Sequence, residues 1–174
     1  MKLIEIDKIT YREHLNRVII VFIACLAFLS LLMGQLLIRL WGQVEVATGE
    51  STGNFHLNFL GVLLAFALCG GVLYRQRHHD YFKEIYYVSR LKALHNRIYR
   101  KLKAIKLAAQ NNDINALIIL SFYYTSLKFV YLLDDNTLTL GEVDVELNRI
   151  NQQIERLGLT VGAQDFSAEL LTRF

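Results

Sequence analysis

The 174-residue chain contains no proline, where average usage of about 5% would supply roughly eight or nine. Its helices therefore lack the residue that most strongly breaks them, and a composition rich in Leu, Ile, Ala, Lys and Arg favours long, uninterrupted ones. There are two cysteines, Cys25 and Cys69, both inside apolar blocks. That is too few for a disulfide framework, and their placement suits small apolar filler. The chain also lacks a Gly-rich phosphate loop, a G-x-S-x-G elbow, an HExxH helix and a CxxC pair. No catalytic, cofactor-binding or metal-ligating grouping is thus expected, and the chain reads as a non-enzyme with no small-molecule substrate.

Apolar residues make up 53% of the sequence, above the usual range for soluble proteins. The excess is concentrated in blocks. Val18–Leu40 carries no charged or strongly polar side chain from Val18 to Gly34 apart from Ser30. As a helix it would be roughly 34 Å long, about one hydrocarbon core. Arg39 and Trp41 close it, and both side chains suit the headgroup level. Phe55–Tyr74 is a second candidate span, followed at once by Arg75 and Arg77. No charged residue lies in the middle of either, so an ion or substrate path is not suggested. The loop 41–54 contains Glu45 and Glu50 but no Lys or Arg. Both outer flanks, 1–17 and 75–90, are basic. The positive-inside rule then predicts cytoplasmic termini and an outward-facing loop. A cleaved signal peptide is the alternative for the start, but the apolar run exceeds the usual h-region of about 7–15 residues and no clean cleavage site follows.

Small residues on the two blocks would allow close approach: Ala24 and Ala27 on the first, and Gly61, Ala65, Ala67, Gly70 and Gly71 on the second. Gly61-xxx-Ala65 and Ala67-xxx-Gly71 have small-xxx-small spacing. Residues 1–17 read as a short amphipathic lead-in helix, with Leu3, Ile6, Ile9 (or Thr10) and Leu15 at near-helical spacing.

Beyond the second block the charge pattern changes sign. Residues 75–106 hold ten Lys/Arg against two acids, and residues 107–174 hold four against nine. One basic helix is expected over about 80–110. Tyr87, Val88, Leu91, Leu94, Ile98, Leu102 and Ile105 share one arc of it, and Lys/Arg fill the rest. Val88, Leu91, His95, Ile98, Leu102 and Ile105 form a bundle or oligomer seam with one polar member. Asp113 reads as an N-cap for a helix over 113–133. That segment is apolar enough to pose as a third span. Its dispersed Asn115, Ser121, Thr125, Ser126 and Lys128, and its acidic flanks, favour the buried centre of a bundle; a third membrane-associated segment is the alternative. Thr139-x-x-Glu142 predicts a capping box opening a helix over 140–157, with Gly158 as its stop. Val143, Leu147, Ile150, Ile154 and Leu157 are its apolar stripe, and a short helix over 167–172 closes the chain. The aromatic run Phe122-Tyr123-Tyr124 reads as core. The expected fold is all-α: a membrane hairpin of two transmembrane helices, followed by a cytoplasmic three-helix, bundle-like domain over 75–174.

The chain reads Leu94-His95-Asn96-Arg97-Ile98-Tyr99-Arg100-Lys101-Leu102, with Tyr11-Arg12-x-His14-Leu15-Asn16-Arg17-Val18 and Leu133-Asp134-Asp135-Asn136-Thr137-Leu138-Thr139-Leu140. With these stretches it resembles an uncharacterised family of small two-pass inner-membrane proteins from Gram-negative bacteria. The resemblance implies the topology and the compartment, and no functional residue.

His14, His78, His79 and Asp80 flank the spans, but their spacing matches no established metal-ligand pattern. Interfacial polar residues explain them as well. Asp135–Glu146 imitates a calcium loop, yet Leu138 and Leu140 stand where polar residues or glycine belong. The basic helix, with Tyr86, Tyr87 and Tyr99, is adjacent to a span, so the anionic inner leaflet is a nearer partner than nucleic acid. Arg75, Arg77, Lys83 and Arg90 are the candidate lipid contacts. The expected function is a non-enzymatic, membrane-anchored interaction or scaffold protein. It would associate with itself or with another membrane protein. An accessory subunit or sensor acting through its spans is the alternative. An enzyme at the membrane face using His78, His79 or His95 stands behind both.

Overall fold

Asp7 sets the start of the first helix. Its carboxylate accepts a hydrogen bond from the Thr10 backbone N–H at 2.9 Å, which satisfies one of the donors a helix start leaves free. From there α1 runs unbroken over Lys8–Trp41. The computed structural model describes residues 3–42 and 52–174. The chain is all-α, with α2 over Phe55–Gln76, α3 over Asp80–Tyr99, α4 over Leu102–Gln110, α5 over Ile114–Leu133 and α6 over Leu140–Arg156. Two 3-10 turns, Ala163–Asp165 and Ala168–Arg173, follow, so the last short helix is of the tighter kind. There is no strand among the described residues. Most of the 41–54 loop lies outside them.

Two compact units divide the chain: Met1–Arg12 with Glu84–Phe174, and Glu13–Lys83. The expected lead-in helix at 1–17 is not separate. Residues 3–7 form no helix, and the helix that begins at Lys8 continues through the first apolar block because nothing between 8 and 33 breaks it. The lead-in stripe is also corrected: Ile6 is buried but Ile9 is exposed.

In the unit Glu13–Lys83, α2 buries one stripe, Leu57, Gly61, Ala65 and Cys69, at four-residue spacing. Gly34 and Leu37 are the buried residues of α1 here. A Cβ on Gly61 would come within 2.8 Å of the Gly34 Cα, so the two backbones cross at a pair of glycines. Phe22 meets Phe66 edge-on at 6.3 Å. Ser30 donates to the Leu26 carbonyl at 2.6 Å and so hides its hydroxyl within its own helix. Of the small residues singled out, Gly61 and Ala65 meet this crossing. Ala24, Ala27, Ala67 and Gly71 face outward.

In the other unit α5 is the centre. Every residue from Ala116 to Tyr124 is buried, with Ser126, Val130 and Leu133. Burial on all sides explains why its sequence lacks a polar face. It is packed by α4, α6 and the two 3-10 turns. Asp113 caps it through the Ala116 N–H at 2.9 Å. Phe122 stacks on Phe166 at 4.0 Å. The α6 stripe is Val143, Ile150 and Ile154, and Gly158 ends that helix at a φ of +66°, a conformation glycine adopts without cost.

Two further expectations are corrected. The basic helix over 80–110 is broken at Arg100–Lys101, where Lys101 N–H turns to the Ile98 carbonyl at 2.9 Å. No breaker residue stands there. The Lys101 ammonium reaches the Leu171 carbonyl at 2.8 Å, so the break coincides with a tertiary anchor. The Thr139 capping box is not formed: α6 opens at Leu140 without a side-chain cap from Thr139.

Candidate functional site

Tyr81 opens the first turn of α3, and its ring stacks on that of His14 at 4.0 Å. Its hydroxyl is buried with no hydrogen-bond partner among the described residues. The same ring lines a cleft of about 470 Å3 between α1 and α2, together with Arg17, Phe22, Cys25, Cys69 and Gln76. The rest of the lining is apolar, with Val21, Leu29, Leu68, Val72 and Phe82 among it. Arg17 and Gln76 are the charged and amide side chains of the lining, and Tyr81 adds a hydroxyl. Cys25 and Cys69 are both free thiols. Both line this cleft.

Of the basic residues expected to contact lipid, Arg75, Arg77 and Lys83 belong to the same unit as the cleft. Arg75 and Lys83 are exposed. Arg77 donates to the Tyr74 carbonyl at 2.7 Å, and its guanidinium lies 3.8 Å from the centre of the Tyr74 ring. Arg90, in the other unit, is exposed and donates to the Tyr86 hydroxyl at 3.3 Å. Arg17 donates to Glu13 at 2.7 Å, one turn earlier on the same helix.

The seam residues turn inward. Val88, Leu91, His95, Ile98 and Ile105 are buried within their own unit, and Leu102 is half-buried. His95 is the polar member. Its Nε2 lies 2.7 Å from the Ser126 Oγ, and that hydroxyl donates to the Phe122 carbonyl at 2.7 Å. The single hydroxyl proton is thus committed, so His95 Nε2–H is the donor to Ser126. Burial, and secondarily the charge of Lys92, push the His95 pKa down to about 4. A neutral imidazole donating into a wholly buried serine is a core hydrogen bond; it does not activate that serine as a nucleophile.

A second polar cluster joins α4, α5 and α6. Lys106 pairs with Glu146 at 3.2 Å, and Tyr124 donates to the same carboxylate at 3.2 Å. Burial alone would lower the Lys106 pKa, but its bonds to Tyr124 and Glu146 outweigh that and raise it. Burial likewise works to raise Glu146, and the ammonium of Lys106 reverses the sign and holds it low. Lys128 pairs with Asp144 at 2.7 Å. The acidic α6 therefore neutralises cations of α4 and α5 inside one unit. This pairing accounts for part of the charge split without an outside partner.

Sequence reasoning passed over a third cluster. Asp135 accepts from both Lys8 and Arg12, Asp134 pairs with Lys92 at 2.7 Å, and Tyr11 is buried to 2% exposure beside them. Burial, then the charge of Asp134, pushes the Tyr11 pKa up to about 12. The N-terminal segment is so tied to the end of α5. The only signal in the sequence was the i,i+4 pair Lys8 and Arg12 on one helical face. Among the described residues no group of three or more His, Cys, Asp or Glu is gathered closely enough to hold a metal ion.

Three of the helices, α1, α2 and α5, are long and apolar enough to cross a bilayer. Comparison with curated proteins and with solved structures finds no match. The family described as "Protein of unknown function (DUF3087)" matches residues 1–171, and the chain belongs to that family.

Proposed function

We propose that the protein is a two-span protein of the bacterial inner membrane whose larger helical unit is a cytoplasmic platform for a protein partner. One observation carries the reading. In the most apolar windows of α1 and α2 only 6% and 22% of residues are buried within the protein, against 67% in α5. The first two helices turn Ile20, Phe28, Leu31, Phe59 and Phe66 outward, a surface suited to lipid and costly in water. The third already spends its apolar surface on its own neighbours. α1 and α2 then span, α5 is a bundle core, and the lysine and arginine asymmetry puts both termini in the cytoplasm.

The platform presents a groove of about 630 Å3 lined by Tyr124, Leu127, Tyr131, Val143 and Val145, with Lys106 and Glu146 at its polar side. Leu138 and Val145 are exposed, at 95% and 68%, and the groove supports an interaction role over a catalytic one. A reporter fused to the C-terminus tests the topology: two spans keep it cytoplasmic, whereas a third span through α5 carries it outside. In vivo crosslinking of the tagged full-length protein tests the role. A discrete crosslinked partner, lost on Val145→Asp, is expected; a protein that crosslinks to nothing and is monomeric in detergent overturns the platform reading.

An accessory role through the spans is favoured by Ala67 and Gly71, which are exposed on α2 and free for a neighbouring helix. Exchanging both spans for unrelated ones separates the two readings: it abolishes an accessory function and spares a platform.

A further inference from the structure

The cleft between α1 and α2 combines three features. Its walls are apolar (aliphatic side chains with Phe22 and Phe82), its charged and amide side chains are Arg17 and Gln76, and the Tyr81 hydroxyl is buried with no hydrogen-bond partner among the described residues. A volume of about 470 Å3 falls within the usual range for ligand sites, roughly 300–1,000 Å3. A buried hydroxyl without a partner is costly, and that cost is removed by any acceptor placed against it. The charges in the adjoining sequence are also one-sided. Between residues 13–17 and 75–83 the hairpin carries Arg17, Arg75, Arg77 and Lys83 against Glu13 and Asp80. Glu13 occupies Arg17 through a single contact, and a guanidinium has five donors.

We propose that this cleft is a phospholipid site: it takes one acyl chain of an anionic lipid, the Tyr81 hydroxyl donates to the ester carbonyl, and Arg17 meets the phosphate. The inference rests on the membrane reading above. The occupant follows from the chemistry. An apolar slot whose lining also offers a hydroxyl donor and a cation matches the chain, the ester and the phosphate of a glycerophospholipid. The excess of cations over acids in the adjoining stretches selects a net negative headgroup over a zwitterionic one. Cys25 and Cys69, in the walls, contribute apolar surface and serve as reporters.

The test is native mass spectrometry of the full-length protein in detergent, titrated with phosphatidylglycerol or phosphatidylcholine. Wild type retains one phosphatidylglycerol, at least fivefold in preference to phosphatidylcholine. Arg17→Gln removes the preference. Tyr81→Phe weakens retention of both lipids. Val21→Trp fills the cleft from a position that is 54% exposed, and so blocks both lipids without burdening a packed core. Thiol labelling of Cys25 in the unmodified protein is the check that needs no variant, and it slows when phosphatidylglycerol is added. Equal retention of the two lipids, or retention and labelling indifferent to these changes, overturns the proposal. A protein recovered from the soluble fraction instead overturns the membrane reading on which it rests.

Discussion

Gly61 lies directly against the backbone of Gly34: a Cβ added to Gly61 would stand 2.6 Å from the Gly34 nitrogen and 2.8 Å from its Cα. Those atoms are main chain and cannot rotate aside. Gly61→Leu must therefore push the two helices apart, and overpacking of this kind costs about 1–3 kcal/mol or more. Gly71 is the matched control on the same helix, because nothing stands within 4 Å of a Cβ placed there. Thermal unfolding in detergent should show a clear loss for Gly61→Leu and little change for Gly71→Leu. Equal midpoints for the two variants refute the crossing at Gly34.

The two expected helix starts in the larger unit make a paired prediction. Asp113 caps α5 through the Ala116 N–H, and Asp113→Ala should lose about 1 kcal/mol. Thr139 makes no side-chain cap at α6, so Thr139→Ala should change stability by less than about 0.5 kcal/mol. Denaturation of the two variants side by side checks this. A Thr139→Ala loss as large as that of Asp113→Ala would mean the capping box forms after all.

The same pair shows how far the sequence could be read. Helix existence was legible wherever an apolar period was long, as in α2, α5 and α6, because burial of one face or of the whole helix leaves its mark residue by residue. Asp113 and Gly158 were legible because a cap and a positive φ each call for particular residues. Thr139 has the right residue for a cap, yet the formed bond depends on a backbone angle that the pattern does not encode. The break at Lys101 had no local signal, since its anchor, Leu171, is seventy residues away. Gly34 was hidden for a similar reason. A lone glycine in an apolar run gains meaning only once Gly61 is known to face it. The Tyr81 cleft depends on three separate stretches of chain, and no spacing announces such a site.

Tyr11 and Asp135 separate packing from charge in the N-terminal tie. Asp135 stands at a φ of +55°, a region asparagine also tolerates. Asp135→Asn therefore removes the pairs with Lys8 and Arg12 without backbone strain. These are half-exposed ion pairs, worth about 0.2–1 kcal/mol. Tyr11→Ala empties a wholly buried aromatic site and should cost about 3–5 kcal/mol. Hydrogen exchange of residues 3–12 reports both directly. Exchange should rise modestly in Asp135→Asn and approach that of a free segment in Tyr11→Ala; the reverse ranking would show that charge, not the buried ring, holds the segment.

His95 predicts a pH dependence with a definite sign. Burial, with a smaller contribution from Lys92, moves its pKa from 6.5 down to about 4 in the folded chain. The unfolded chain then binds the extra proton between those two values. The stability tied to a neutral His95 is full above pH 6.5 and falls as the pH drops toward 4. At most the change is about 3 kcal/mol over that window. Carboxylates titrate in the same range, so the informative quantity is the difference between wild type and His95→Gln, which keeps a donor for Ser126 but does not titrate. Thermal midpoints taken between pH 4.5 and 7 should show wild type losing stability faster than the variant as the solution is acidified. Parallel curves would mean that His95 is protonated inside the fold, and its hydrogen bond to Ser126 would then need a charge partner that none of its described neighbours supplies.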